Sequence, residues 1–174
     1  MTDQPIRIMG IDPGLAVTGY ALLDKRARDN NATLLTSGTI RTSARSTRSS
    51  RLGTIFTELI SIIKHYKPDE LAVETQFIAK NVKAAMSVSE VRAASLIAAS
   101  ESEIPVREIT PREVKEAITG WGNAPKEQVQ LMLAAQLNST EIPNSLDASD
   151  AVAIGLTAYM LRRYEKIFNQ EIDR

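Results

Sequence analysis

The stretch IRIMGIDPGLAVTGYALL, residues 6–23, decides the fold of this chain. Its first part, Ile6–Ile11, is an apolar run that ends at Asp12-Pro13-Gly14, which is typical of a buried strand entering a turn. Its last part, Val17–Leu23, has the composition of a second strand, and Thr33–Ile40 supplies a third. Because the three strands follow one another so closely, they predict an antiparallel meander.

The rest of the chain predicts two short strands and five helices. The strands are Glu70–Thr75 and Pro105–Ile109. Apolar positions at helical spacing predict helices at Leu52–Tyr66, Val82–Ser102, Pro111–Thr119, Pro125–Leu137 and Leu146 to about Ile167. This order of elements predicts an α/β fold, a mixed five-stranded sheet with helices on both faces, in a single domain 1–174. Residues 1–5 are expected to be a flexible extension and residues 168–174 a flexible tail.

Composition narrows the class of protein and the kind of metal site. The 174 residues are enough for one domain, and 43% apolar with 24% charged residues is typical of a globular chain. With no Cys and one His, a metal would have to be held mainly by carboxylates, which favour Mg²⁺ or Mn²⁺. No signal-peptide pattern or membrane-length apolar segment is visible, so we expect a cytoplasmic protein without a membrane partner. The zero net charge is neutral evidence on nucleic-acid binding, because an acidic centre can cancel a basic groove.

Two acids, Asp12 and Glu74, each follow a short apolar strand. An unpaired carboxylate next to a buried apolar strand costs free energy, because the charge loses its contact with water. However, Asp before Pro-Gly is also an ordinary turn residue, and a Glu at a strand end is commonly just exposed. Strand ends at one edge of a sheet converge, so the two acids would meet if their strands are neighbours.

Two more acids, Asp147 and Asp150, lie three residues apart at the start of the last helix and therefore share a face. Acids in a first turn also stabilise the helix dipole, and Asn144 with Asp147 resembles a capping box. Asp150 lies next to the apolar face of the helix, so the helix dipole and the capping box account for it less well. Two divalent ions about 4 Å apart can drive in-line displacement at phosphorus, and four carboxylates can hold such a pair. Composition alone does not show whether the acids meet.

Several motifs resemble the RuvC family of Holliday-junction resolvases. Gly10–Gly14 followed by Thr18–Tyr20 is similar to the family's opening strand pair. Glu74–Asn81, ETQFIAKN, is similar to its second signature, and Asp147–Ala151, DASDA, to its C-terminal acidic helix start. Further matches, in order and spacing, are Ile109-Thr110-Pro111, Val114-Lys115 and Lys126 with Gln128-Val129. The resemblance extends from about Ile6 to Leu161.

The resemblance implies a fold, an activity and partners. It implies a ribonuclease-H-like homodimer, a crossover junction endodeoxyribonuclease with two divalent ions per subunit, Mg²⁺ or Mn²⁺. Such an enzyme makes paired nicks in strands of like polarity across four-way junction DNA, in homologous recombination and DNA repair. It works with junction-binding and branch-migration proteins. Catalytic and metal-ligand roles fall on Asp12, Glu74, Asp147 and Asp150, although some members carry His at the position of Asp147.

The resemblance also implies DNA contacts. Phe77 would insert or stack at the junction centre, where base stacking contributes about 1–3 kcal/mol per base. Lys115 and Lys126 would contact DNA near the cut, and Lys80 and Lys83 are placed to meet backbone phosphates. On residue type alone, Phe77 could instead be a core residue at the sheet edge, and the lysines could be solvated helix-face charges.

Two segments leave alternatives open. Arg41–Arg51 is polar, contains Arg and no acid, and is either a loop or the beginning of the next helix. Arg45, Arg48 and Arg51 could contact phosphates or be solvated. The helix Val82–Ser102, with many small residues, is the dimer helix in family terms, but it could pack only against its own sheet.

Three other functions compete with junction resolution. An actin-like ATPase or sugar kinase shares the strand–Asp–x–Gly opening, but it needs two such domains and a second Asp-x-Gly motif, which this chain lacks. A nuclease of the same fold could act on RNA–DNA hybrids. A non-catalytic junction-binding module is the third, and intact acids at Asp12, Glu74 and Asp150 argue against it.

Overall fold

The computed structural model describes residues 4–26, 29, 31–75, 82–137, 143 and 145–172, with side chains described up to residue 162. Strands in this part of the chain are β1 (Ile6–Asp12), β2 (Val17–Lys25), β3 (Thr33–Arg41), β4 (Glu70–Glu74) and β5 (Val106–Ile109). Helices are α1 (Arg48–Tyr66), α2 (Val82–Glu101), α3 (Pro111–Thr119), α4 (Lys126–Ala135) and α5 (Leu146–Ile172).

The sheet has the strand order β3-β2-β1-β4-β5. The first three strands form the predicted antiparallel meander, and β4 and β5 continue the sheet parallel to β1. The predicted mixed five-stranded sheet is therefore confirmed. Asp12 pairs with Gly19 on one side, and Ile11 pairs with Val73 on the other. This register brings the carboxyl ends of β1 and β4, and hence Asp12 and Glu74, to the same edge.

Side chains of the central strands alternate between two cores, one on each face of the sheet. Met9 and Ile11 pack with α1 and α2 on one face, and Ile8 packs with α3, α4 and α5 on the other. Period-two alternation places Asp12 on the same face as Ile8. Ala72 belongs to that core as well, so Glu74 also faces α5. Helices cover both faces of the sheet, as predicted. Asp12 and Glu74 point to the same face, the one covered by α5.

Glycines let α5 lie directly on the sheet. A Cβ added at Gly10 would stand 2.0 Å from the Ala151 carbonyl oxygen and 2.7 Å from the Gly155 nitrogen. A Cβ at Gly19 would stand 2.0 Å from the Asp147 carbonyl oxygen. Real Cβ atoms cannot approach the backbone so closely. Because Gly10 and Gly19 have no Cβ, the first turns of α5 can lie directly beside the end of β1.

The start of α1 differs from the prediction. The helix begins at Arg48 rather than Leu52, because the Thr47 hydroxyl caps it by accepting the backbone N–H three residues on. Residues 41–51 thus contain both a loop and the first turn of a helix. Arg48 makes an ion pair with Glu90 of α2, so its guanidinium contributes to helix packing.

The last helix, α5, starts at Leu146 and continues to Ile172, past the predicted end near Ile167. Asn144, interpreted above as a possible cap, lies outside the described residues. The flexible extension at 1–5 and the flexible tail at 168–174 stay predictions. Among the helices that the structure describes, none combines the length and the hydropathy needed to cross a membrane.

Candidate active site

Asp12 is presented by a rigid turn. The buried Thr18 hydroxyl donates to the Gly14 carbonyl oxygen at 2.8 Å, across the loop that follows Asp12. The Thr42 hydroxyl donates to the Leu15 carbonyl oxygen at 2.5 Å and ties the same loop to the end of β3. These bonds fix the chain just after Asp12, so its carboxylate is held at the sheet edge.

Glu74 is positioned by the parallel pair β4–β5. The Thr75 N–H donates to the Ile109 carbonyl oxygen at 2.7 Å, which extends the pairing one residue beyond Glu74. The Thr75 hydroxyl contacts the same oxygen at 3.3 Å. Glu74 therefore stands at an ordered strand end, next to the end of β1.

One cavity of about 390 Å³ brings these elements together. Asp12, Glu74 and Asp150 line it, together with Lys115 of α3 and Lys126 of α4. Apolar parts of its wall come from Pro111, Val114, Val129, Ala153 and Ile154. The cavity thus combines three acids from two strands and one helix with two cations from two further helices.

Asp147 is not among the residues that line this cavity. Its charge nevertheless acts on Asp12 and Lys126. Its carboxylate stands 3.5 Å from the Ser145 hydroxyl, a long contact at the start of α5. The structure therefore places Asp147 close to the other acids but in a more peripheral position.

The electrostatics of the cavity centre on Asp12. Burial, and then repulsion from Glu74, Asp150 and Asp147, raises the pKa of Asp12 to about 7, against an opposing effect of Lys126. Lys126 Nζ donates to Asp150 Oδ2 at 2.5 Å, and this bond is the main cause that raises the pKa of Lys126. Negative charge thus accumulates around Asp12 beyond what one ammonium group balances.

The donor set fits a hard divalent cation. The acids supply only carboxylate oxygens, the ligands that Mg²⁺ and Mn²⁺ prefer, and the mutual repulsion at Asp12 is the kind of charge excess that a cation relieves. Within the described ranges, no three acidic or His side chains are arranged to ligate one ion. Asp150 is instead ion-paired with Lys126 in this arrangement.

The predicted DNA-contact residues fall into three groups. Lys115 and Lys126 both line the cavity. Lys83 lies exposed on the first turn of α2. Phe77 and Lys80 lie outside the described residues. The pairing of Lys126 with Asp150 was not predicted, because nothing in either local sequence indicates it.

The profile of the family described as "Crossover junction endodeoxyribonuclease RuvC" matches residues 8–158 of the chain. The chain belongs to the RuvC family. The RuvC of Halothermothrix orenii, a crossover junction endodeoxyribonuclease by name, is 42% identical over 159 residues, 90% of this chain and 95% of the relative. Thermus thermophilus RuvC matches with a TM-score of 0.86 at 32% identity, covering 92% of this chain and 97% of that one.

The same Thermus protein, solved in complex with a Holliday junction substrate, matches with a TM-score of 0.87 at 32% identity, covering 92% and 96% of the two chains. These comparisons confirm the resemblance to the RuvC family and the ribonuclease-H-like fold. The RuvC family consists of metal-dependent nucleases, and the matched range contains all four acids.

Proposed function

We propose that this chain is a divalent-metal-dependent endonuclease that resolves four-way DNA junctions in recombination and repair. The observation that carries this proposal is that three acids, Asp12, Glu74 and Asp150, line one cavity. The chain also belongs to a family of crossover junction endodeoxyribonucleases. These acids are far apart in the sequence but meet at one edge of the sheet, beside two lysines. Such a group of charged side chains is suited to metal-dependent hydrolysis of a phosphodiester.

The acids are proposed as the ligands of two Mg²⁺ or Mn²⁺ ions. Asp12, Glu74 and Asp150 would hold them inside the cavity, and Asp147, whose charge acts on Asp12, would contribute as a fourth acid. When bound, two such ions activate the attacking water and neutralise charge on the leaving oxygen. Positive charge in the cavity also removes the repulsion that raises the pKa of Asp12, so this carboxylate is then held ionised.

The lysines are proposed to position the phosphodiester. Lys115 and Lys126 enter the cavity from α3 and α4, and their ammonium groups neutralise phosphate charge. Lys126 is available for this once Asp150 takes a metal ion as its partner. Lys83, Lys80 and Phe77 are proposed to contact the DNA further from the reacting phosphate.

Cleavage of a synthetic mobile four-way junction tests the proposal. With Mg²⁺ or Mn²⁺ we expect symmetric nicks in two strands of like polarity, and little cutting of linear duplex or RNA–DNA hybrid of the same sequence. A preparation that binds metal and is folded, yet leaves the junction intact with either ion, contradicts the proposal. Preferential cutting of the hybrid would instead favour the alternative nuclease activity.

A homodimer through α2 is the proposed assembly, since paired nicks require two active sites. The helix exposes large apolar side chains, with Val82 62%, Met86 58% and Ile97 54% accessible. A groove of about 400 Å³ runs along Val82, Ala85, Met86, Ser89, Glu90 and Ala93. Exposed apolar side chains concentrated on one helix favour a protein interface, and we propose a second copy of α2 as its occupant because paired cutting requires two active sites.

Met86→Glu is expected to convert the dimer into monomers without unfolding them, because the new charge is harmless in water and costly when buried between subunits. Sedimentation at micromolar concentration measures this, and junction cutting should change from paired to single nicks. Leu131→Glu, at a residue 75% exposed on α4, is the matched control and should leave a dimer. A wild-type chain that sediments as a monomer rules out the dimer and the paired mechanism.

Three further expectations stay predictions. They are the junction-binding and branch-migration partners that the resemblance implies, and the cytoplasmic location and the organisation of residues 1–174 as one domain that follow from composition and length.

A further inference from the structure

We infer that Trp121 stacks on a base of the junction close to the cut site, an inference that rests on the proposed function. Trp121 lies in the connection between α3 and α4, residues 120–125. Its side chain is 55% exposed, and it is the only Trp of the chain. An exposed indole offers a large flat apolar surface, which is the kind of surface on which unpaired or splayed bases stack.

Hydrogen bonds tie the Trp121 backbone to the last turn of α3 and to Ala124, just before α4. The Thr119 hydroxyl donates to the carbonyl oxygen of Lys115 at 2.8 Å and accepts the Trp121 N–H at 3.1 Å. On the other side, the Ala124 N–H donates to the Trp121 carbonyl oxygen at 3.0 Å, two residues before Lys126. The indole is therefore carried by a turn whose two ends lead directly into the cavity wall.

The reach of this turn places Trp121 within a few nucleotides of a phosphate in the cavity. Four helical residues rise about 6 Å and two further Cα steps add at most about 8 Å, so its Cα lies within about 14 Å of that of Lys115. Successive nucleotides of one strand are spaced about 3.4 Å apart. A base within about four nucleotides of the cut is therefore accessible to the indole.

The surroundings of the turn favour DNA over another partner. Gly120 adopts a left-handed conformation with φ 75°, and a Cβ at Gly122 would stand 2.9 Å from Arg112 Cγ, so the Arg112 side chain packs along the turn. Arg112 thus places a cationic side chain beside the turn, and the helices at its two ends carry the cavity residues Lys115 and Lys126. An exposed aromatic group next to a cation is a combination that binds nucleic-acid strands.

Intrinsic fluorescence tests the inference directly, because all tryptophan emission comes from this residue. In EDTA, which prevents turnover, titration with a four-way junction should quench or shift the emission of the wild-type chain to saturation. Trp121→Ala should weaken junction binding about 5- to 150-fold, the range expected for loss of one stacked base. Trp121→Phe should remain within about threefold of wild type, since an aromatic plane is retained.

Leu35→Ala is the control variant, since Leu35 is a 41% exposed apolar residue on the edge strand β3. Its junction affinity should equal that of wild type, and the melting temperature of Trp121→Ala should be unchanged because the indole is exposed. A wild-type chain that binds and cleaves the junction with unchanged emission overturns the inference alone. So does a Trp121→Ala variant that binds within twofold of wild type. A wild-type chain that neither binds nor cleaves junctions overturns the proposed function as well.

Discussion

Replacing Asp12 with Asn is expected to reduce junction cleavage by about a thousandfold or more, equivalent to about 4 kcal/mol of transition-state stabilisation. Asn keeps the shape of the side chain but removes the negative charge that the carboxylates of Glu74, Asp150 and Asp147 repel. The proposed metal site then loses one of its carboxylates. Junction affinity should change less than about threefold, because phosphate contacts on the surface dominate docking. Single-turnover cleavage with Mg²⁺ and binding titrations in EDTA measure the two quantities separately.

Glu127→Gln provides the control for this loss. Glu127 is the exposed acid next to Lys126 in the sequence and does not line the cavity, so its neutralisation should leave cleavage near the wild-type rate. If Asp12→Asn weakens junction binding as much as cleavage, Asp12 has a structural role in DNA docking and the metal-ligand assignment fails.

The same substitution should stabilise the metal-free protein, with a defined pH dependence. The pKa of Asp12 is about 7 in the folded state and 3.8 in the reference state, so the folded protein holds this proton more tightly. Its ionisation therefore destabilises the fold progressively from about pH 4 to pH 7, and the effect levels off above that. Asn avoids this cost. We expect Asp12→Asn to gain about 2 kcal/mol in EDTA at pH 8, roughly 4–8 °C in melting temperature, and little at pH 4.

Local patterns were enough to place two of the acids. The apolar runs before Asp12 and Glu74 predicted strand ends, and the parallel pairing of β1 with β4 puts those ends side by side. Period-two alternation then directs both side chains to the face covered by α5. The strand ends depend on a few neighbouring residues, so the sequence could reveal them, whereas the pairing of β1 with β4 joins distant segments and was left open by the sequence.

Other features depend on packing between distant segments and leave no local signal. The bond between Lys126 and Asp150 joins α4 and α5, and nothing in either local sequence indicates that these two residues pair. The early start of α1 was missed for a different reason. Its first turn contains no acid, and the prediction began at the first apolar residue, Leu52, although Thr47 is an ordinary N-cap type.

The glycines beneath α5 had no functional interpretation in the sequence, yet they determine whether the acids meet. Gly10 belongs to the family motif at the end of β1, and its role becomes visible only through its contact with Ala151 and Gly155. Those residues lie far along the chain, on the helix that carries Asp150. The motif therefore has two physical functions. It positions Asp12 at the end of β1, and its Gly10 lets the backbone of α5 pack directly against the strand.

Gly10→Ala is accordingly expected to destabilise the protein by about 3 kcal/mol or more, since overpacking against rigid backbone is not relieved by a side-chain rotation. The added Cβ would meet the Ala151 carbonyl oxygen at 2.0 Å and the Gly155 nitrogen at 2.7 Å. Thermal and urea unfolding measure the loss, which corresponds to roughly 6–12 °C for a chain of this size.

Gly53→Ala is the matched control, because a Cβ at this exposed position in α1 meets nothing within 4 Å. Alanine in a helix should there stabilise the protein by about 0.5–1 kcal/mol, the opposite sign. A Gly10→Ala protein that still folds must have moved α5 away from β1, which separates Asp150 from Asp12. Its cleavage rate should then fall even at temperatures where it is folded. Wild-type stability and activity in Gly10→Ala would show that the close approach of α5 is not needed to assemble the site.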